Sequence, residues 1–373
     1  MKTPVGFLTA VAAVTLAAAS ASAHNVPPSS HAVFVMTNDA TSNEIVAYPR
    51  TSDGILLRPT RYRTAGRGSG GKVDPLTSQG SLTLSRDGSL LFAVNAGSGT
   101  LSVFRVRGAE LELSDVAPTQ GSEPNAVAQS GNTVYVLNAA GSSSVVGFRV
   151  RGGKLAAIRN SQRFLSGNGV VPTSIAFSKD GQSLLVSERG TNRIDLFSLT
   201  GDGPLTEFKA TASAGPGLFA LAVAPNGTVL AAETGGGGSP AAMSSYAVLA
   251  DGTMSAITVS APTLGAANCW NAVTPDGRFV YGSNAGTSSL SGFAIGASGE
   301  LTPIPGTVVG FNPAGSANLD IAISADGRFL YSLNAATGAI GVFAVRPSDG
   351  SLTNLGTVNG LPATAGLNGI AAN

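Results

Sequence analysis

Histidine is almost missing from this chain. Of 373 residues only His24 and His31 carry imidazole, and both precede the first repeated unit described below. A histidine general base inside the body of the protein is therefore excluded, and with it Ser-His-Asp and Cys-His catalysis and a histidine-rich zinc site. Cys269 is the single cysteine, so no intramolecular disulfide can form and stability must come from packing. With no histidine or helix terminus to activate it, Cys269 reads as a buried small residue. Charge is scarce and balanced, 22 basic against 21 acidic residues. No global field exists to recruit nucleic acid or an anionic membrane, and neutral or zwitterionic small molecules or other proteins are the expected partners.

The first residues read as an export signal. Lys2, the apolar run from Val5 to Ala19 and the small residues Ala21-Ser22-Ala23 supply its charged, apolar and cleavage parts. The run is too short for a membrane span, and no later run approaches the roughly 18 apolar residues required. The expectation is a secreted or periplasmic, monomeric protein whose mature chain starts at His24.

What the chain has in abundance is repetition. The stretch SADGRFLYSLNAATGAIGVFAV, Ser324 to Val345, is restated from Ser85, Ser178 and Thr274, and more loosely from Ala32, Ser130 and Ala224. Each of the seven copies places an Asp-Gly or Asn-Gly turn before an apolar run, then Asn-Ala and small polar residues, then a run ending in an aromatic. That is two strands joined by a short turn. The turn glycines at 88, 131, 181, 227, 277 and 327 are spaced by 43 to 50 residues, the length of a four-stranded propeller blade. A second set of turns, among them Asp53-Gly54, Asp251-Gly252 and Asp349-Gly350, supplies the other hairpin. The first copy lacks its opening strand. Leu367-Asn368-Gly369-Ile370-Ala371 matches the opening strands Pro124-Asn125-Ala126-Val127-Ala128 and Trp270-Asn271-Ala272-Val273-Thr274. The reading is an all-β, seven-bladed propeller of residues 24–373, with antiparallel four-stranded blades and the first blade completed by the C-terminal strand, which removes the exposed edges.

Two insertions interrupt the repeat and are expected to project from the ring: Arg61 to Gln79, with Arg61, Arg63, Arg67 and Lys72, and Gly235 to Pro240. Within the first, Gly66 to Lys72 has the spacing of a phosphate-cradling loop, but Val73 stands where a Ser or Thr would hold magnesium and no helix follows, so it reads as a basic surface loop.

The chemistry must then come from carboxylates. The Asn of the Asn-Ala element (Asn38, Asn95, Asn138, Asn284, Asn334) becomes Glu188 in blade four and Glu233 in blade five. Facing the channel, Glu188 and Glu233 would handle protons beside Arg189, which would bind an anionic group. Trp270, Asn271, Asn125, Asp320 and Asn368, at the openings of inner strands, would line the pocket. No organic cofactor is expected. Calcium is the one metal the residues suggest, with Glu188, Glu233, Asp320 and Asn271 as oxygen ligands. On the bland reading the Asn positions brace turns and the two glutamates are solvated.

The stretches Ser78 to Val106, Ser174 to Phe197, Cys269 to Ile295 and the Ser324 copy resemble the lactonase-type seven-bladed propellers, the group of 6-phosphogluconolactonase-like and carboxymuconate-cyclase-like proteins. The resemblance covers the mature chain. It implies hydrolysis or cycloisomerisation of a small sugar-derived or carboxylated lactone. Members carry a Gly-Pro-Arg-His element at the opening of a blade and a glutamate at the end of the next strand. Here the corresponding stretches read Val171-Pro172-Thr173-Ser174 and Gly215-Pro216-Gly217-Leu218-Phe219; arginine and histidine are absent, while Glu188 and Glu233 stand at the glutamate position. The rival expectation is a non-catalytic exported binding module that uses the ring face and the Arg61 to Lys72 loop.

Overall fold

The computed structural model describes residues 1–2, 30–201 and 205–373; most of the export signal read from the sequence lies outside them. Seven antiparallel sheets make up the blades, and among the described residues no helix is long and apolar enough to cross a membrane. In blades two to seven the chain runs from the inner strand outward, as in Asn268–Val273, Phe279–Asn284, Ser289–Ile295 and Leu301–Phe311 of blade six.

Burial explains why the second strand of each repeat is continuously apolar rather than alternating. Leu90–Asn95 and Phe329–Asn334 lie between neighbouring blades and are covered on both faces. Outer strands such as Met254–Pro262 are mostly uncovered, and there the polar residues return. At the Asp-Gly turns a hydroxyl locks the aspartate: Ser85, Ser178, Thr274 and Ser324 donate to Asp87, Asp180, Asp276 and Asp326 at 2.5–2.6 Å.

Ring closure follows the expected route. Ile370–Ala372 pairs antiparallel with His31–Met36, in the register Val35↔Ile370, Phe34↔Ala371, Val33↔Ala372. The last residue clamps both ends: Asn373 takes the Ala32 amide on its side chain at 2.6 Å and gives its own amide to the Ala32 carbonyl at 3.1 Å. Beneath this strand lies Arg50, its side chain wholly buried. It reaches Asp326 of blade seven at 3.0 Å and the Asn373 carbonyl at 3.3 Å, with its guanidinium 5.2 Å from the centre of the Phe329 ring. One cation thereby joins blade one, blade seven and the chain terminus.

The inner strands of blades three to seven share a device that aims side chains at the axis. Each begins at a residue with positive φ (Glu123, Val171, Gly217, Ala267, Ala317) and then shifts register against the second strand. Such a bulge turns the next side chains out of the regular pleat.

Arg50→Ala should cost ~3 kcal/mol, because it empties a buried charge site shared by two blades. Breaking the exposed Arg105–Glu112 pair, with side chains 41% and 58% accessible, should cost less than about 1 kcal/mol. Chemical denaturation midpoints of the two variants check the contrast.

Candidate active site

The Arg61 to Gln79 insertion, expected to project, instead crosses the upper face and descends into the central hole. Its first residues, Thr60–Arg63, form the outer strand of blade one. The chain then runs inward against blade one: Gly68 and Gly70 donate to the carbonyls of Asp39 and Asn38 at 2.7 and 2.9 Å. A Cβ on Gly68 would stand 2.2 Å from Asn38 backbone atoms, so only glycine permits this approach. Leu76 is buried, and the polar residues after it match open groups on the inner strands. Ser78 Oγ donates to the Asn125 carbonyl at 2.7 Å; the Gln79 amide donates to the Thr173 carbonyl at 2.9 Å; Gln79 Nε2 donates to the Leu221 carbonyl at 3.2 Å and to Asn271 Oδ1 at 3.3 Å. Between them, two consecutive residues touch blades three, four, five and six. The Gly235 to Pro240 insertion does project, with residues 236–240 exposed.

The residues expected to line a pocket are brought together around this plug and are largely occupied by it. Trp270, 1% exposed, donates its indole N–H to the Ser78 carbonyl at 2.9 Å and packs edge-on against Phe219, so it offers no free ring for stacking. Asn271 donates its amide N–H to Gln79 Oε1 at 2.8 Å. Asn125 Nδ2 donates to the carbonyls of Pro172 at 2.9 Å and Leu76 at 3.5 Å. Asp320 accepts backbone N–H groups of Ile321, Ile370 and Gly80. Asn368 Nδ2 donates to Asp74 Oδ1 at 3.2 Å.

Asp74 is the group that sequence reading missed. It lies half-buried in the plug, with φ 46°, and its carboxylate accepts the backbone N–H groups of Thr77 and Ser78. Burial pushes it up to about 7, against the lowering effect of Asn368, those two amides and the more distant Arg189 cation. Asp320, 4% exposed, is likewise pushed up to about 7, first by burial, with the Asp74 charge adding to the rise. Two carboxyls of near-neutral proton affinity thus share one low-dielectric space. Cys269 beside them is driven the other way from reactivity, to about 12, chiefly by burial and further by Asp74. Arg189 is exposed, with its guanidinium 5.8 Å from the centre of the Phe219 ring. A carboxyl near pH 7 such as Asp74, within the electrostatic reach of Arg189, suits proton transfer at a carbonyl.

Glu188 and Glu233 are not solvated and do not share a cavity. Glu188 takes the Ser166 amide at 3.0 Å, the hydroxyls of Ser166 and Thr191 at 2.6 Å, and Arg193 Nε at 3.2 Å. Burial alone would raise it, but these donors outweigh burial and hold it below the usual glutamate range. Glu233 takes the Gly215 amide at 2.9 Å and the hydroxyls of Ser244 and Ser260 at 2.6 and 2.8 Å. Neither set of partners overlaps the other. Both carboxylates do the work of the asparagines they replace: Asn95, for example, ties Asn43 and Thr64 of blade one to Ser102 of blade two. Arg193 also reaches the buried Asp195 at 3.0 Å, and burial, then the neighbouring Glu188, pushes Asp195 upward.

The four residues read as calcium ligands do not assemble. Glu188 and Glu233 lie in separate inter-blade clasps, Asp320 accepts the backbone N–H groups of Ile321, Ile370 and Gly80, and Asn271 bonds to Gln79 and to the Leu230 carbonyl. Among the described residues no group of three His, Cys, Asp or Glu side chains is arranged to hold a metal. A cleft of about 730 Å³ opens on the opposite rim, among the Asp-Gly turns of blades four to six. Its carboxylates Asp180 and Asp251 are held low by hydrogen bonds from Ser178 and Thr253 respectively, so the neutral-range chemistry belongs to the axis.

The profile of the family "Lactonase, 7-bladed beta-propeller" matches residues 3–171 and 254–364. The chain belongs to this family. The unmatched interval holds blade four and the first three strands of blade five, where Glu188 and Glu233 replace asparagine. No curated protein matches the sequence. Solved structures share the fold at low identity. A proposed 6-phosphogluconolactonase from Bacteroides uniformis is 20% identical, over 92% of this chain and 100% of that one, with a TM-score of 0.68. The periplasmic gluconolactonase PpgL of Pseudomonas aeruginosa is 20% identical, over 91% and 99%, with a TM-score of 0.66. Virginiamycin B lyase from Staphylococcus aureus is more distant, at 15% identity over 76% and 86%, with a TM-score of 0.52.

The raised carboxyls of Asp74, Asp320 and Asp195 fix the sign of the pH dependence. Each holds its proton in the fold to higher pH than in the unfolded chain, so the stability it lends is complete below about pH 4 and is lost as pH rises toward 7. The melting temperature should be higher at pH 5 than at pH 8, and Asp195→Asn should flatten part of that difference in a thermal scan.

Proposed function

We propose that the protein is an exported lactonase that opens a small lactone bearing a carboxylate or a sugar-derived ring, with Asp74 as the proton-handling group. The observation that carries this reading is the half-buried Asp74 carboxyl at the axial mouth, of near-neutral proton affinity and within the field of exposed Arg189. Family membership supports the reaction class, and the lactonase names of the Bacteroides and Pseudomonas structures point the same way. Export rests on the N-terminal Lys2, apolar run and Ala-Ser-Ala; the balanced charge favours a small-molecule ligand over nucleic acid, and the protein is taken as a monomer by default.

As carboxylate, Asp74 takes a proton from the water that adds to the lactone carbonyl carbon. Arg189 faces the resulting oxyanion or the substrate's own carboxylate. When the ring C–O bond breaks, the proton on Asp74 passes to the departing alkoxide, and the product is the open hydroxy acid. Asp320 is too buried to meet substrate, and the Asp74 charge adds to the burial that favours its protonated form. Proton handling therefore passes from Glu188 and Glu233, whose lone pairs are committed between blades, to a residue of the plug. Calcium plays no part in these steps.

A second reading, a non-catalytic binding module, is favoured by one observation: Arg67 and Lys72 are exposed where the plug segment crosses the upper face. A lactone panel separates the two. On the enzymatic reading kcat/KM rises with an inflection near pH 7, Asp74→Asn lowers kcat about 10²- to 10⁴-fold, and Arg189→Ala raises KM for carboxylated lactones. Glu188→Gln and Glu233→Gln keep activity while lowering the melting temperature. Flat traces with every lactone leave the binding module.

A further inference from the structure

We propose that Asn368, delivered by the C-terminal segment, is the positioning residue for Asp74, so that the strand closing the ring also assembles the reactive end of the site. This rests on Asp74 as the proton-handling group.

The terminal segment is threaded through the site at three successive points. Gly366 donates its amide to the Lys72 carbonyl at 2.8 Å and accepts Asn38 Nδ2 at 3.1 Å, which fixes it to the plug and to blade one. Asn368, wholly buried, places Nδ2 3.2 Å from Asp74 Oδ1. Its own backbone is held by Met36, whose carbonyl accepts the Asn368 amide at 3.4 Å and whose amide reaches the Gly369 carbonyl at 3.1 Å. Two residues on, the Ile370 amide donates to Asp320. One short stretch thus gives a hydrogen-bond donor to each axial carboxyl.

No other side chain among those acting on Asp74 supplies a hydrogen bond to it; its remaining donors are backbone amides of its own turn. Arg189 of blade four acts on it by charge alone, while Asp320 of blade seven and the Cys269 thiol of blade six share its surroundings. Lys72 lies two residues away on the same segment. A fixed amide donor both orients the carboxylate lone pairs and favours the ionised form. Loss of that donor should leave Asp74 more basic and less well aimed. A donor delivered by a chain terminus also ties chemistry to closure: a blade one that has not been completed presents Asp74 without its orienting partner.

The experiment is a carboxyl-¹³C NMR titration of Asp74, assigned with Asp74→Asn, in the full chain and in Asn368→Ala, Asn368→Ser and Arg50→Lys. The expected result is an upward move of the Asp74 titration by roughly half a pH unit or more in Asn368→Ala, with Asn368→Ser, which keeps a donor, in between. The kcat/KM inflection moves in parallel, and kcat falls about tenfold or more while KM stays within about twofold. Arg50→Lys alters contacts to Asp326 and Asn373 at the far end of the segment and leaves the bonds that hold Gly366 and Asn368, so it lowers the melting temperature without moving the titration. An Asp74 titration unmoved in Asn368→Ala, or moved equally by Arg50→Lys, overturns the proposal. Absence of lactone turnover in the parent overturns the functional reading instead, and the NMR titration still decides the role of Asn368.

Discussion

The polar groups that seven inner strands turn toward a shared axis need partners, from water or from protein. In this chain the axis is filled by the chain itself. Ser78 and Gln79 satisfy groups on four blades, and Trp270 returns its indole N–H to the Ser78 carbonyl. A buried polar group without a partner costs ~1–3 kcal/mol, so this interlocking set does more than decorate the hole: it fixes where the two residues sit, and thereby where Asp74 sits, four residues earlier. The site is a consequence of how the hole is closed.

The same constraint accounts for the charges at the axis. A plug that excludes water leaves any carboxyl beside it poorly solvated, and both Asp74 and Asp320 are driven upward chiefly by that desolvation. A group of near-neutral proton affinity at a mouth is useful for catalysis, while the same desolvation costs stability above neutrality. Arg189 stays outside the seal, where its charge can meet an arriving ligand.

The architecture was legible because it repeats. Turn glycines at 43- to 50-residue spacing, Asn-Ala elements and the missing first strand are local signals that return in every blade, and the inner strand at Ile370–Ala372 fell where the vacancy required it. The site was legible only in part. Asn125, Trp270, Asn271, Asp320 and Asn368 were found as axial because they open inner strands, yet most of them serve the plug. Asp74 was invisible because the plug occurs once, so no repeat marks its direction, and a glycine-rich basic stretch looks like a surface loop. Glu188 and Glu233 were noticed as departures, but their meaning lay in the partner positions. In blade six, Asn284 donates to Ser289 and Ser291; in blade four the corresponding residues are Glu188, Arg193 and Asp195, an ionic version of the same clasp. In blade four all three positions change together, which marks Glu188 as part of the inter-blade clasp.

The account stands on the 76–80 stretch being locked in the axis. Hydrogen–deuterium exchange of the native protein tests this most directly. The account predicts that the Gln79 amide, bonded to the Thr173 carbonyl at 2.9 Å, exchanges as slowly as the amides of the inner strands, while the exposed glycines 237 and 238 exchange at once. Rapid exchange at Gln79, on the time scale of that exposed turn, would mean the segment is not seated and would contradict the account.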